Sequence, residues 1–99
     1  MITDSQAQEK RAAKDYGGTV NSGSGNGPWR KNDVRSDKYS IECKVTGKAS
    51  FRLSLKDLLL AYKQALLDGR IMLFEVEMQG HQFVTLKKTD FLAMLEDKT

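Results

Sequence analysis

The clearest pattern of hydrophobic and polar positions is a strict alternation from Tyr39 to Thr46. Every second side chain is apolar or nearly so: Tyr39, Ile41, Cys43 and Val45. The side chains between them are polar: Ser40, Glu42, Lys44 and Thr46. Because successive side chains of a strand point to opposite faces, the alternation predicts a half-buried strand with one polar face.

A helical period follows, in which large apolar residues recur on one face: Leu55, Leu58, Leu59, Tyr62 and Leu66. Ser54, with Asp57 three residues later, is typical of a helix start, and Gly69 of a helix end. We therefore predict an amphipathic helix from Ser54 to Asp68. Leu60 and Leu67 fall outside its apolar face.

A second helix is predicted near the N-terminus. Residues 5–15 are rich in Ala, Gln, Glu, Lys and Arg, which favour helix. Thr3 and Gln6 have the spacing of a capping box, and Gly17 and Gly18 end the helix.

The other segments complete the order αβββαββα. A short strand precedes a flexible, glycine-rich loop at about residues 21–32, which contains the only proline. Asp33 and Val34 belong to the next strand, and a turn at residues 36–38 joins it to the alternating strand in a hairpin. Strands from Ile71 to Met78 and from Gln82 to Leu86, and a short helix capped by Thr89, follow. We expect one α/β (α+β) domain over residues 1–99, with a mixed central sheet flanked by helices.

Composition places the chain among ordinary globular proteins, with 39% hydrophobic and 29% charged residues. The longest apolar run, near Leu58, is far shorter than the roughly 20 residues of a membrane-spanning helix. The N-terminus lacks the apolar stretch of a secretory signal, and a single cysteine cannot form an internal disulfide. These features predict a cytoplasmic protein without a membrane segment.

Charge is distributed unevenly along the chain. From Lys10 to Lys56 there are eleven basic and four acidic residues, whereas the rest has five basic and nine acidic residues. A basic first half suits a polyanion such as nucleic acid, although a basic segment is also typical of an ordinary solvated face.

The polar face of the alternating strand carries the main candidate chemistry. Glu42 and Lys44 share that face, and Cys43 between them offers only its backbone carbonyl. Asp33, on the neighbouring hairpin strand, adds a second carboxylate. Two carboxylates and a carbonyl suit Mg²⁺, which prefers oxygen ligands and retains water. A bound magnesium ion with a nearby lysine would favour phosphodiester hydrolysis.

By itself, a Glu-x-Lys pattern usually marks only a surface strand. Two other local patterns do not indicate a functional site. Residues 46–50 lack the first glycine of a phosphate-binding loop. His81, the only histidine, is expected at the surface. The side chain of Cys43 is expected in the core. Trp29, in the glycine-rich loop, is equally suited to stacking on a DNA base and to covering the core.

In combination these segments resemble the PD-(D/E)XK nuclease superfamily, and within it the small Holliday junction resolvases of archaea and their phage relatives. The similarity covers roughly residues 5 to 77. It rests on the helix with Glu9, the loop at residues 21–25, Asp33-Val34, the run Ile41-Glu42-Cys43-Lys44 and the leucine-rich helix after Ser54. One departure is Asn32, where the family usually has Pro or Gly before the aspartate.

The resemblance implies a restriction-endonuclease-like core and a role for each matched residue. Asp33, Glu42 and the Cys43 carbonyl would bind Mg²⁺, with Mn²⁺ as a substitute, and Lys44 would be the catalytic lysine. Glu9 would join the site through metal or water. The equal alternative is that Glu9 is an ordinary solvated residue of the helix.

The loop serine near the scissile phosphate would be Ser24 or Ser22, which the sequence does not distinguish. Four basic residues are candidates for contacts with DNA: Arg30, Lys31, Lys48 and Arg52. The alternative is that they are ordinary surface charges. The implied activity is structure-selective cleavage of four-way or branched DNA by a homodimer, with Leu60 and Leu67 as interface candidates. The alternatives are a DNA-binding module that does not cleave, and a nuclease of linear DNA.

Overall fold

The computed structural model describes residues 1–21 and 31–97 of the protein. Within them, helices and strands follow the predicted order αβββαββα. The helices are α1 (Asp4–Tyr16), α2 (Leu55–Leu67) and α3 (Lys88–Glu96). The strands are β1 (Thr19–Val20), β2 (Val34–Arg35), β3 (Tyr39–Thr46), β4 (Ile71–Met78) and β5 (His81–Thr85). The predicted mixed α+β fold is therefore confirmed.

The five described strands form one sheet in the order β1-β2-β3-β4-β5. Three neighbouring pairs are antiparallel, and the central pair, β3 with β4, is parallel. Parallel neighbours require a crossover connection, which α2 supplies. The sheet is therefore mixed, with its parallel pair at the centre.

Two small cores lie on opposite faces of this sheet. On one face, α1 contributes Ala12 to a cluster with residues of β2, β3 and β4: Val34, Ile41, Cys43 and Leu73. On the other face, α2 contributes Ala61 and Ala65 to a cluster with alternate residues of β4: Met72, Phe74 and Val76. Cys43 is buried in the first core, as its position in the alternating strand predicted.

The predicted polar face of β3 is more buried than expected for a half-buried strand. Ser40 is 2% exposed and Glu42 is 8% exposed. The reason is the crossover: α2 lies over this face, so both faces of β3 are covered.

The face of α2 that contacts the sheet also differs from its leucine face. The buried residues are Ala61 and Ala65, whereas Leu55, Leu59 and Leu66 are 70%, 49% and 57% exposed. Small alanine side chains allow the helix to approach the sheet closely. Leu58 and Tyr62 of the predicted face are partly buried against this core, whereas the exposed leucines form an edge of the helix.

Most predicted helix ends are confirmed. Thr3 and Gln6 form the capping box of α1, Gly17 ends α1 with φ 66°, and the Ser54 side chain caps α2. The predicted cap at Thr89 is wrong: α3 begins at Lys88, and its N-cap residue, Lys87, makes no side-chain capping hydrogen bond.

Two further features are the position of His81 and the length of the helices. His81 is exposed, as expected for a surface residue. Among residues 1–21 and 31–97, no helix is both long and apolar enough to span a membrane.

Candidate functional site

The hairpin of β2 and β3 brings Asp33 opposite Glu42. Val34 pairs with Ile41, and the backbone N–H of Ser36 donates to the Tyr39 carbonyl across the turn at 2.9 Å. Asp33 lies one residue before β2, so extending this register by one position places it beside Glu42. The hairpin predicted from sequence therefore brings Asp33 close to Glu42, as expected.

Backbone contacts fix Asp33 at the entry to β2. Its Oδ2 accepts a hydrogen bond from the backbone N–H of Cys43 at 2.9 Å, and its carbonyl accepts from the N–H of Asn21 at 2.8 Å. In an extended strand the N–H and C=O of one residue point to the same side. The Cys43 carbonyl therefore lies on the edge of β3 that faces Asp33.

Lys44 lies beside Glu42 on the same face of β3. Its Nζ is 3.3 Å from Glu42 Oε2, and the side chains are 36% and 10% exposed, respectively. The ammonium group is therefore accessible to solvent, while the carboxylate beside it is nearly enclosed.

The pKa of Glu42 is raised to about 7, well above the ordinary range for a carboxyl. Burial is the largest cause, followed by the negative charge of Asp33 and a hydrogen bond with its side chain. The charge of Lys44 opposes this shift but does not cancel it. Two adjacent carboxyls in a desolvated position thus retain a proton near neutral pH unless a cation replaces it.

A small groove beside α2 gives access to Glu42 and Lys44. Its volume is about 100 Å³, and we name it the Glu42 groove. Its walls come from the entry to β2, from β3 and β4, and from one edge of α2: Asn32, Glu42, Lys44, Asp57, Leu60, Ala61, Gln64 and Phe74.

Sequence reasoning missed the position of Asp57 and Gln64 in this groove. It interpreted Asp57 only as part of a helix start. Asp57, Leu60 and Gln64 are spaced three and four residues apart, which marks one edge of a helix. Only the rotation of α2 on the sheet shows that this edge faces the groove.

Asn32 has a structural role that the sequence did not predict. It is 3% exposed, and its Nδ2 donates to Ser40 Oγ at 2.8 Å and to the Ala61 carbonyl at 2.9 Å. The residue that departs from the family pattern therefore connects the entry to β2 with α2, beside Asp33.

Glu9 is partly buried on α1, and its carboxyl is electrostatically coupled to Asp33. Burial is the larger cause of its raised pKa, and the charge of Asp33 is the second. The structure therefore places Glu9 within electrostatic reach of Asp33.

The remaining candidates lie outside this cluster or outside the described residues. Lys31, Lys48 and Arg52 are exposed at the surface. The structure does not describe residues 22–30, which include four predicted residues of the glycine-rich loop: Ser22, Ser24, Trp29 and Arg30.

The donor set fits a hard divalent cation that keeps most of its water. Within residues 1–21 and 31–97, no group of three or more His, Cys, Asp or Glu side chains is arranged to hold a metal ion. Mg²⁺ is commonly bound by one or two carboxylates with water and substrate phosphates completing its coordination. Asp33, Glu42 and the Cys43 carbonyl provide the two carboxylates and one carbonyl that such a partly hydrated ion needs.

A second buried carboxylate, Glu75, lies on the opposite face of the sheet and was missed from sequence. It is 5% exposed; its Oε1 accepts from the Tyr16 hydroxyl at 2.9 Å and its Oε2 from Gln8 Nε2 at 3.4 Å. Gln8 Nε2 also donates to the Lys44 carbonyl at 3.0 Å. Gln8 therefore connects α1 to the backbone of the strand that carries Lys44.

Comparison of the chain with protein-family models, with curated proteins and with solved structures gave no match in any of the three.

Proposed function

We propose that the protein is a Mg²⁺-dependent endodeoxyribonuclease of the PD-(D/E)XK type that hydrolyses phosphodiester bonds in branched DNA. The observation that carries this proposal is the buried pairing of Glu42 with Asp33, with Lys44 at 3.3 Å on the same strand face. A buried carboxyl that lines a groove and lies beside a second carboxyl favours a cation-binding role.

Asp33, Glu42 and the Cys43 carbonyl would hold the magnesium ion, with Glu9 contributing through metal or water. When bound, such an ion makes a coordinated water more acidic and offsets the negative charge that develops on the phosphate. Mn²⁺ is the expected substitute because it accepts the same oxygen ligands.

Lys44 would act on the attacking water. Its ammonium group lies beside Glu42 and is 36% exposed, so it is accessible from the groove. From that position it would orient the water, favour its deprotonated form and offset the repulsion between the two acids. Its backbone is held by Gln8 through the Lys44 carbonyl.

The basic half of the chain would bind the DNA backbone. Among its exposed residues, Lys31, Lys48 and Arg52 are suited to phosphate contacts. Arg30, Ser22 and Ser24 belong to the same proposed surface by the family resemblance.

A four-way junction is the proposed substrate, and a cytoplasmic homodimer is the proposed active form. Both follow from the resemblance to junction resolvases, because resolving a junction requires paired cuts. A nuclease of linear DNA is the closest alternative. A non-cleaving DNA-binding module is a second alternative, which the basic first half of the chain favours independently of the acidic pair.

One assay separates these functions. The protein is incubated with a labelled four-way junction and a matched linear duplex, with and without Mg²⁺, alongside Lys44→Ala. We expect Mg²⁺-dependent cuts in the junction, few in the duplex and none by the variant. Equal cleavage of both substrates would identify a nuclease of linear DNA. Salt-sensitive binding without any product would identify the binding module.

A further inference from the structure

Helix α3 carries an apolar face that its own chain leaves uncovered. None of its residues is buried, and Phe91, Leu92 and Leu95 are 47%, 45% and 44% exposed. It makes few contacts with the strands or with the other described helices. A helix of nine residues is too short to be stable in water by its own hydrogen bonds. The apolar face therefore needs a packing partner.

An apolar groove lies at the edge of α2 that is remote from Glu42. We name it the α2–β5 groove; its volume is about 250 Å³. Its apolar walls are formed by six residues: Leu55, Leu58, Leu59, Tyr62, Met72 and Leu86. Lys87 and Lys88 also line it, but Phe91, Leu92 and Leu95 do not. The chain's own α3 therefore does not fill this groove.

Strand β5 extends the same apolar surface. Phe83 pairs with Val76, whose side chain belongs to the core under α2, so Phe83 lies on the α2 face of the sheet. It is 59% exposed. The area beside α2 over β5 is thus an uncovered part of this sheet face.

The charges around the groove and on α3 are complementary. Lys87 Nζ lies 5.0 Å from the centre of the Tyr62 ring, and Lys56 and Lys63 are exposed beside the leucine edge of α2. Helix α3 begins with one basic residue, Lys88, but carries Asp90 and Glu96, and Asp97 follows directly. An apolar helix with a net negative charge fits an apolar groove with basic borders.

We infer that α3 of one copy of the chain packs into the α2–β5 groove of a second copy, and that the reciprocal contact closes a two-fold dimer. Each chain carries both halves of the contact, which is the requirement for a closed two-fold interface. The inference rests on the homodimer under the proposed function and identifies its surface.

This arrangement leaves the proposed active centre accessible. Leu60, an interface candidate from sequence, lines the Glu42 groove, so a partner packed there would cover Glu42 and Lys44. Leu55 and Leu59 lie at the opposite edge of α2. A dimer formed through that edge keeps both Glu42 grooves open to DNA.

Sedimentation equilibrium of the full chain tests the interface. Leu59→Lys alters the groove and Leu95→Lys alters α3. We expect each to raise the dimer dissociation constant by about 30-fold or more, since burying a charge at an interface centre removes a major contact. Leu67→Lys is the matched control, because Leu67 is 63% exposed but does not line the α2–β5 groove. Its dissociation constant should stay near that of the unmodified chain.

Hydrogen–deuterium exchange on the unmodified chain gives a result that does not depend on how the variants fold. Protection of residues 88–96 and of the Leu55–Tyr62 segment that increases with protein concentration supports the interface. A monomer at high micromolar concentration overturns it, as does a dimer without protection in α3 or one weakened only by Leu67→Lys.

The outcome is separable from that of the proposed function. A chain that dimerises through α3 but does not cut DNA retains the interface and loses the nuclease. A monomeric chain that cuts DNA in a Mg²⁺-dependent way loses the interface and retains the nuclease.

Discussion

Two buried glutamates on adjacent strands of the sheet have contrasting surroundings. Glu75, on the α1 face, is 5% exposed and accepts hydrogen bonds from the Tyr16 hydroxyl and the Gln8 amide. Glu42, on the α2 face, is 8% exposed and lies against another carboxyl, Asp33, beside a groove. The first has neutral donors from its own fold, whereas the second faces repulsion from Asp33 that its cationic neighbour, Lys44, offsets only in part.

Under the proposed function, the difference separates a structural carboxylate from a metal-binding one. A buried carboxylate with hydrogen-bond donors can stabilise its surroundings, whereas two adjacent carboxyls cost stability and persist where that cost serves binding or catalysis. Burial alone does not distinguish Glu42 from Glu75. The chemistry of the neighbouring groups does.

Cleavage should show the largest contrast. Glu42→Gln removes a proposed metal ligand and should lower the Mg²⁺-dependent cleavage rate by about 10²-fold to 10⁴-fold. Glu75→Gln makes the same chemical change on the other face, retains an acceptor for Tyr16 and should keep the rate within about threefold. Single-turnover cleavage of a labelled junction measures both rates. Similar losses in the two variants would remove the distinction.

Stability should show the reverse contrast. Glu75→Ala leaves the Tyr16 hydroxyl without its acceptor and removes one acceptor of the Gln8 amide, so the free energy of unfolding should fall by about 2–3 kcal/mol. Glu42→Ala relieves repulsion with Asp33 and, without metal at pH 8, should cost little or be stabilising. Urea denaturation in the presence of EDTA measures both. A larger loss for Glu42→Ala would contradict this assignment.

The dependence of stability on pH should follow Glu42. Its pKa in the folded protein is about 7, against an ordinary value of 4.5, so the folded state holds a proton that the unfolded state has released. The contribution of Glu42 to stability is therefore largest below pH 4.5, falls as the pH rises through this window, and is lost above pH 7.

The expected loss across that window is about 3 kcal/mol for metal-free protein. Glu42→Gln should remove most of it. Glu9, whose pKa is also raised, contributes a change of the same sign. Urea midpoints between pH 4.5 and pH 8 test this, and an unchanged slope in Glu42→Gln would refute the assignment.

The sequence predicted the fold where local patterns carried the information. Strict alternation predicted β3 from Tyr39 to Thr46 at its observed bounds. Capping residues and glycines gave most ends of α1 and α2. The short hairpin turn then implied the closeness of Asp33 and Glu42, which the register supports.

The sequence could not give features that depend on how elements pack. The leucine period of α2 did not reveal that Ala61 and Ala65 contact the sheet, because helix rotation depends on the surface it meets. Glu75 lies within a mostly apolar strand, and its donors, Tyr16 and Gln8, are about 60 residues away along the chain. Only the tertiary structure brings them together.

Calorimetric titration of the metal-free protein with Mn²⁺ at pH 8 tests the central assignment most directly. We predict one site whose affinity falls at least tenfold (~1.4 kcal/mol) in Asp33→Asn and in Glu42→Gln, and is unchanged in Glu75→Gln. Equal Mn²⁺ affinity in all four proteins would contradict it, because Asp33 and Glu42 would then have no role in metal binding.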